Sequence, residues 1–288
     1  MSFIDNTRPL IRDDEVFIKF RLYLNLEVKK RGYMNRPKII LYVGASVDGR
    51  ISMNSNATMF DTFKQPELYD MFFAKGEWEL FQKQITDLYK PDMFLEGCNM
   101  LVAENSKLTE LPAFDGEEEA LYHDYLPDEI LNRLERTSWT SVVDGRGRFR
   151  NGYTGDCDDP HTYMIHLTTQ TAPPEYLAFL QSHKIPYLIE GENQVNLPKM
   201  FEKVKSILKV NTIATSSGGR LSGALIRNSL LDEVNILLSP IVIGGSKVPF
   251  LFNSPEPKWP DIIPNKLELI ETKTLINDKI WFRYKVIS

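Results

Sequence analysis

Two patterns of apolar residues alternate along the chain: short unbroken runs, and segments in which apolar residues recur every three to four positions. Unbroken runs are typical of strands buried on both faces, and the second pattern predicts amphipathic helices. The predicted strands cover 39–43, 92–95, 139–143, 163–167, 187–189, 212–215, 233–238, 267–274 and 280–286. The predicted helices cover 66–90 with a break at Gly76, 127–136, 174–182, 198–208 and 222–230. Strands and helices that alternate at this spacing predict a parallel sheet with helices on both faces.

The last two predicted strands are separated only by a short polar turn. Asn277 and Asp278 lie in that turn, and a connection of this kind predicts an antiparallel hairpin. The predicted architecture is therefore a mostly parallel sheet with an antiparallel edge. Because no linker or internal repeat divides 36–288, we interpret this part of the chain as one domain.

Two segments depart from this pattern. Apolar and polar residues alternate from 16 to 28 as in a strand, but acidic residues precede them and basic residues with Gly32 follow, which favours a helix. We treat 1–35 as an N-terminal lead-in extension whose apolar residues must be buried against the rest of the protein or a second subunit. Residues 105–138 are acidic and irregular, and they predict an insertion that is either a lid over a ligand or a solvated excursion.

Composition limits the classes of function. The 288 residues are 42% hydrophobic and 25% charged, enough for a sizeable core. A net charge of −5 without a basic tract argues against nucleic acid and anionic membranes as partners. The four histidines lack the spacing of metal ligands, and two cysteines cannot form a disulfide framework. No apolar run reaches membrane-spanning length and no signal-peptide pattern is present, so we expect a cytoplasmic protein without a metal.

A glycine pair stands between a predicted strand and a predicted helix. Gly218 and Gly219 follow the strand at 212–215, and glycines allow the backbone to approach a ligand closely. The first amide groups of the following helix carry partial positive charge, so the segment suits a phosphate. An ordinary turn that needs glycine for steric reasons is the alternative interpretation.

Polar residues also gather where two other predicted strands end. Ser46 and Asp48 follow the first strand, at the edge where open α/β sheets bind ligands, although Asp48 could instead belong to a simple surface turn. Arg146 and Arg148 follow the strand at 139–143. Two arginines there could bind a phosphate or could form a solvated turn.

Four stretches together resemble one known family, the RibD C-terminal domain, which is the reductase of riboflavin biosynthesis. They read ILYVGASVDGRIS at 40–52, EGCNMLVAENSKL at 96–108, WTSVVDGRGRF at 139–149 and GGRLSGALIRNSLLDEVNILLSPIVIGG at 218–245. The resemblance covers roughly 36–287. It implies an α/β fold similar to dihydrofolate reductase, with three layers and a mostly parallel central sheet that ends in an antiparallel C-terminal hairpin.

The resemblance also implies an activity and a site. The family reduces a ribosylamino-pyrimidine phosphate with NADPH, in which hydride goes to the sugar C1 and opens the ribose. By position, the cofactor would contact Gly97, Asn99, Asp144, Arg146, Ser217, Gly218, Gly219, Arg220 and Leu221, with Arg146 or Arg148 at its 2′-phosphate. The heterocyclic substrate would contact Ala45, Ser46 and Asn105, and Asp48 and Glu104 are the candidates for a catalytic role.

The chain departs from the family pattern at polar positions. The family commonly has Thr where this chain has Met100, Asp-Asp-Pro or Asp-Asn-Pro where it has 104–106, Glu where it has Ser217 and Asn where it has Ser222. These differences leave two alternatives open, a diverged reductase of another pterin- or pyrimidine-like compound and a non-catalytic nucleotide-binding homologue. No zinc signature of a deaminase domain is present, so the resemblance implies a stand-alone reductase, which we expect to be a homodimer.

Overall fold

The computed structural model describes residues 35–287, apart from 55, 57, 59–60, 62–64, 133–137, 151–161 and 255–263. The helix predicted within the lead-in lies outside the described residues, as do Cys157, His161 and the end of the helix predicted at 127–136. The boundary of the lead-in and the limits of the insertion stay predictions.

One mixed sheet forms the centre of the described part of the chain. Its strands are β1 (Lys38–Ser46), β2 (Met93–Gly97), β3 (Ser138–Val143), β4 (Thr162–Thr168), β5 (Tyr187–Ile189), β6 (Thr212–Thr215), β7 (Glu233–Ser239), β8 (Leu267–Thr274) and β9 (Ile280–Val286). Their order is β5-β4-β3-β2-β6-β1-β7-β9-β8. Strands β1 to β7 run parallel, whereas β9 pairs antiparallel with both β7 and β8. The predicted parallel sheet with an antiparallel C-terminal hairpin is confirmed.

Helices cover both faces of this sheet. They are α1 (Pro66–Phe72), α2 (Glu77–Tyr89), α3 (Cys98–Leu101), α4 (Asp128–Leu131), α5 (Pro174–Ser182), α6 (Leu197–Leu208) and α7 (Gly219–Arg227), with 3-10 turns at Glu118–Ala120 and Ile276–Asp278. Phe81 of α2 packs in the same cluster as Tyr42 of β1. Met200 of α6 and Leu225 of α7 pack in the cluster that contains Leu41. Since successive strand residues point to opposite faces, these clusters lie on the two sides of the sheet and give three layers.

Glycines explain the two places where helix boundaries need comment. Gly76 separates α1 from α2 because it has a φ of 77°, in the left-handed region, and the predicted break is confirmed. Helix α7 covers Gly219–Arg227 rather than the predicted 222–230. The prediction kept both Gly218 and Gly219 in the turn because glycine weakens helices. Gly219 and Gly223 are nevertheless helical, since a Cβ at either position would clash with the backbone of 250–254.

The middle of the insertion packs against the β5 edge of the sheet. Tyr125 exchanges two backbone hydrogen bonds with Tyr187 of β5, both 2.9 Å long. Asp124 accepts hydrogen bonds from the backbone N–H of Ile189 at 2.9 Å and from Lys203 of α6 at 3.0 Å. An edge strand that is paired in this way is protected from association with other chains. This part of the insertion is therefore neither a lid nor a solvated excursion.

Candidate active site at the carboxyl ends of the strands

The parallel strands end at one edge of the sheet, and most of the predicted site residues lie in the loops that follow β1, β2, β3 and β6. This topology brings them to the edge where open α/β sheets bind ligands. Their side chains nevertheless form distinct groups with different accessibility, so each group is described separately.

Asp48 connects the loop after β1 to the loop after β7. Its Oδ1 accepts hydrogen bonds from Ser46 Oγ at 2.6 Å and from the backbone N–H of Ile243 at 3.1 Å, and its Oδ2 accepts one from Gly244 at 2.8 Å. The hydrogen bond from Ser46 is the largest cause that lowers the pKa of Asp48 to about 2. Because the carboxylate is ionised at neutral pH, the geometry supports Asp48 as a residue that fixes the loop and not as a proton donor.

The three predicted substrate contacts differ in accessibility. Ala45 and Ser46 are buried, and Ser46 Oγ accepts a hydrogen bond from the backbone of Arg50 at 2.9 Å while it donates to Asp48. These two side chains shape the loop from within, which corrects the expectation that they face a substrate. Asn105 is exposed.

Three arginine side chains converge on Glu104, and we call Arg146, Arg148 and Arg220 the arginine cluster. Arg146 donates to both oxygens of Glu104, at 2.9 and 3.1 Å, while Arg220 donates at 3.0 Å and Arg148 at 3.4 Å. Asn99 Nδ2 adds a fourth partner at 3.1 Å. The hydrogen bond from Arg146 is the largest cause that lowers the pKa of Glu104 to about 2. Glu104 is therefore an ionised anchor and holds no proton to donate at neutral pH.

Exposure separates the members of the arginine cluster. The side chains of Arg146 and Arg220 are 58% and 66% exposed, whereas that of Arg148 is 7% exposed. Arg148 donates to Asn99 Oδ1 at 2.6 Å and to the carbonyls of residues 102 and 103 at 2.9 and 2.6 Å. Arg148 thus braces the segment after α3, and Arg146 and Arg220 are the members that face solvent and can meet a ligand.

Asp144 supports the turn that carries Arg146 and Arg148. Its Oδ2 accepts hydrogen bonds from the backbone N–H groups of Arg148 and Phe149, both at 2.7 Å, and from the Tyr176 hydroxyl at 3.2 Å. The side chain is buried. A carboxylate held this way positions the turn, which corrects the expectation that Asp144 contacts the ribose of the cofactor directly.

The glycine turn after β6 is shaped by packing within the chain. A Cβ on Gly219 would lie 2.0 Å from the carbonyl oxygen of Phe250, whereas a Cβ on Gly218 would lie 3.4 Å from Sδ of Met100. Gly97, which ends β2, has Leu221 as its neighbour at 3.5 Å from the same kind of Cβ. At Gly219, therefore, the space that glycine leaves is filled by the protein's own backbone and not by a ligand.

Ser217 and Leu221 point into the protein. Both are buried, Leu221 in the main hydrophobic core. The hydroxyls of Ser217 and Ser222 lie 3.3 Å apart, and Ser222 Oγ donates to the Ser217 carbonyl at 2.9 Å. The expected cofactor contacts through these two side chains are not supported, because both side chains are used in packing.

The start of α7 presents unpaired amide groups. Within the described part of the chain, the backbone N–H groups of Gly218, Gly219 and Arg220 have no hydrogen-bond partner. The N-terminus of a helix carries partial positive charge and binds anions. Glu104 links the guanidinium of Arg220 to that of Arg146, so amide and guanidinium donors occur together. This donor set fits a phosphorylated dinucleotide.

Sequence reasoning missed one acidic residue near this turn. Glu96 lies in β2, is part-buried, and accepts a hydrogen bond on Oε1 from Ser216 Oγ at 2.7 Å. Burial raises the pKa of Glu96 to about 7. A signal was present, because a charged residue inside the apolar run Met93–Gly97 is unusual for a buried strand.

Other chemistries find little support in the part of the chain that is described. No group of three or more His, Cys, Asp or Glu residues there could hold a metal ion. Among the described helices, none is both long and apolar enough to cross a membrane. Cys98 is buried, and burial raises the pKa of its thiol, which disfavours the reactive thiolate.

Comparisons with known proteins agree with this geometry. Residues 37–280 match the model of the RibD C-terminal domain family. A relative named 2,5-diamino-6-ribosylamino-4(3H)-pyrimidinone 5′-phosphate reductase, from Methanothermobacter thermautotrophicus, is 21% identical over 211 residues, which are 73% of this chain and 81% of the relative.

Two solved structures share the fold at low sequence identity. A pyrimidine reductase-like protein from Corynebacterium diphtheriae is 15% identical with a TM-score of 0.58, and the match covers 88% of this chain and 94% of that chain. RibD from Acinetobacter baumannii is 13% identical with a TM-score of 0.52, and the match covers 88% of this chain. The chain spans only 58% of that second protein's length.

Proposed function

Because this chain belongs to the RibD C-terminal domain family, we propose that it is a reductase that uses NADPH to convert a ribosylamino-pyrimidine 5′-phosphate into its ribitylamino form. The name of the methanogen relative supports this class of substrate. Within the chain itself, one observation carries the proposal: Arg146 and Arg220 are exposed and are linked through Glu104 beside the unpaired amides that begin α7.

The donors divide between the two phosphate groups of such a cofactor. The amides of 218–220 would hold the pyrophosphate, and Arg146 would hold the 2′-phosphate that distinguishes NADPH from NADH. The cluster has three positive charges and Glu104 one negative charge, which leaves a net charge of +2. A phosphate monoester carries close to two negative charges at neutral pH, so the charges are complementary.

The chain's own residues provide orientation and charge. The bound dinucleotide supplies the hydride. Asp48 fixes the loops that follow β1 and β7, and Arg148 with Asp144 fixes the turn that carries Arg146. Rigid support of this kind lowers the entropic cost of reaching a reactive geometry. Because Asp48 and Glu104 are ionised, neither supplies the proton that the reduction consumes with the hydride.

The proposal is tested by an assay of the purified chain. We expect NADPH absorbance to fall when 2,5-diamino-6-ribosylamino-4(3H)-pyrimidinone 5′-phosphate is added, because the chain presents the donors for both phosphates of the cofactor. The same pyrimidine without its ribosyl phosphate is the matched control and should leave NADPH unchanged.

We also propose that the chain forms a homodimer through the edge of its sheet. Strand β8 is the edge strand, and its Leu269 and Ile270 are 55% and 45% exposed. An exposed apolar edge strand favours association with a second chain. Light scattering at micromolar concentration should give the mass of two chains. The mass of one chain would contradict the dimer, and Leu269→Lys should shift the equilibrium toward that smaller species.

A further inference from the structure

Glu96 is an acidic group that the proposed function leaves without a role. Leu95 of β2 pairs with Thr215 of β6, and this register brings Glu96 next to Ser216. Ser216 Oγ donates to Oε1 at 2.7 Å. Oε2 is shielded from solvent and accepts no hydrogen bond from any described residue. One carboxyl oxygen is thus anchored, and the other is without a partner within the described part of the chain.

The groups around Glu96 are neutral or apolar. Tyr42 of β1 contacts the same Ser216 and also Gln82 of α2, and burial raises the pKa of this tyrosine, so it stays protonated. On β3, the residue paired with Glu96 is Val142. Burial raises the pKa of Glu96 to about 7 and the hydrogen bonds from Ser216 oppose this shift, while no described charged group contributes to it. The protonated acid is therefore substantially populated near neutral pH.

Glu96 is adjacent to both turns of the proposed cofactor site. Gly97, the next residue, ends β2, and Ser216 precedes the glycine pair at 218–219 by one residue. Ser216 therefore joins Glu96 directly to the loop whose amides would hold the pyrophosphate. Among the acidic residues found at this edge of the sheet, Asp48 and Glu104 are ionised, and Glu96 is the one that retains a proton.

Building on the proposed function, we propose that Glu96 is the general acid of the reduction and that it protonates the ring oxygen of the ribose. As the bond between C1′ and the ring oxygen breaks, its electron pair stays on the oxygen, which takes the proton from Glu96. The lone pair of the exocyclic nitrogen closes a C=N bond to C1′. Hydride then enters C1′, and the C=N electrons return to nitrogen. One hydride and one proton are consumed, and the Glu96 carboxylate regains its proton from water.

Glu96→Gln tests this role because the amide keeps an acceptor for Ser216 but carries no acidic proton. We expect kcat to fall about 100-fold, with the KM of the substrate and the Kd of NADPH changed less than about threefold. The wild-type kcat should decrease as pH rises through about 7, since a general acid is lost on deprotonation, and the variant should lack this decrease.

Ser216→Ala is the companion variant with an opposite expectation. Because the hydrogen bonds from Ser216 lower the pKa of Glu96, loss of the hydroxyl should move the decrease in kcat to higher pH while the rate at low pH is retained. Active wild-type enzyme together with a Glu96→Gln variant of unchanged kcat and pH profile would overturn the general acid. An inactive wild-type enzyme would overturn the proposed function, and the general acid with it.

Thermal unfolding provides a readout that does not depend on activity. In the folded protein the pKa of Glu96 lies above its value in the unfolded chain, so the folded state keeps a proton that the unfolded state releases between about pH 4.5 and 7. Wild-type stability therefore falls relative to Glu96→Gln across this window. We expect the Tm of the variant to gain roughly 5 °C on that of the wild type from pH 5 to 8. A difference that stays constant with pH would contradict the buried proton.

Discussion

Gly219→Ala is expected to destabilise the fold by about 3 kcal/mol and to remove NADPH binding, because the new side chain has no space. Its Cβ would lie 2.0 Å from the carbonyl oxygen of Phe250 and 3.1 Å from Cβ of Asn253. The closest atom belongs to the backbone, and the Asn253 N–H donates to the Gly219 carbonyl at 2.9 Å, so the neighbouring segment cannot move away freely. The clash would displace the start of α7 together with its unpaired amides. Urea unfolding and fluorescence titration with NADPH measure the two effects.

Gly218→Ala is the matched control for this substitution. A Cβ there would lie 3.4 Å from Sδ of Met100, a flexible side chain, and Gly218 has a φ of −61° and a ψ of 164°, which alanine adopts without strain. We expect a loss of about 0.5 kcal/mol, as for other changes from glycine at a helix N-cap, and retained NADPH binding. Equal stability of the two variants would show that the contact with Phe250 does not constrain Gly219.

Arg146→Ala is expected to weaken NADPH binding about 30-fold and to leave NADH binding unchanged, because only NADPH carries the 2′-phosphate that this guanidinium would bind. The side chain is 58% exposed, and its ion pair with Glu104 lies near the surface. Stability should therefore change by less than about 0.5 kcal/mol. Isothermal titration with both cofactors gives the ratio of affinities directly.

Arg148→Ala separates a ligand contact from a structural one. Arg148 is buried and donates to Asn99 and to two backbone carbonyls, so its loss should destabilise the protein by about 3 kcal/mol. Binding of both cofactors should suffer together. If Arg146→Ala weakened NADH and NADPH equally, the assignment of the 2′-phosphate to Arg146 would be wrong.

Local pattern was sufficient for most of the fold. The apolar run at 39–43 lies within β1, and the predicted bounds of the strands at 187–189, 212–215, 267–274 and 280–286 match the structure. The N-terminal boundary of α7 was wrong because helix propensity counts against glycine, whereas at Gly219 and Gly223 the tertiary contact with 250–254 decides. Such a contact joins residues distant in sequence, so no local pattern reveals it.

The site was predictable at the level of location and less so at the level of role. Sequence and resemblance identified Asp48, Glu104, Asp144 and Arg146 at strand ends, but not which would be exposed. Asp144 is buried because two backbone N–H groups require an acceptor inside its turn, and Glu104 is occupied by arginines from two different segments. Roles of this kind depend on hydrogen bonds across the fold, which periodicity does not encode.

The measurement that tests the central claim most directly is mass spectrometry of the product formed from 2,5-diamino-6-ribosylamino-4(3H)-pyrimidinone 5′-phosphate with NADPH and purified chain. The account predicts a product that has gained two hydrogen atoms, in an amount equal to the NADPH oxidised, because one hydride and one proton open each ribose ring. Unchanged substrate after prolonged incubation of folded, NADPH-binding protein would contradict it.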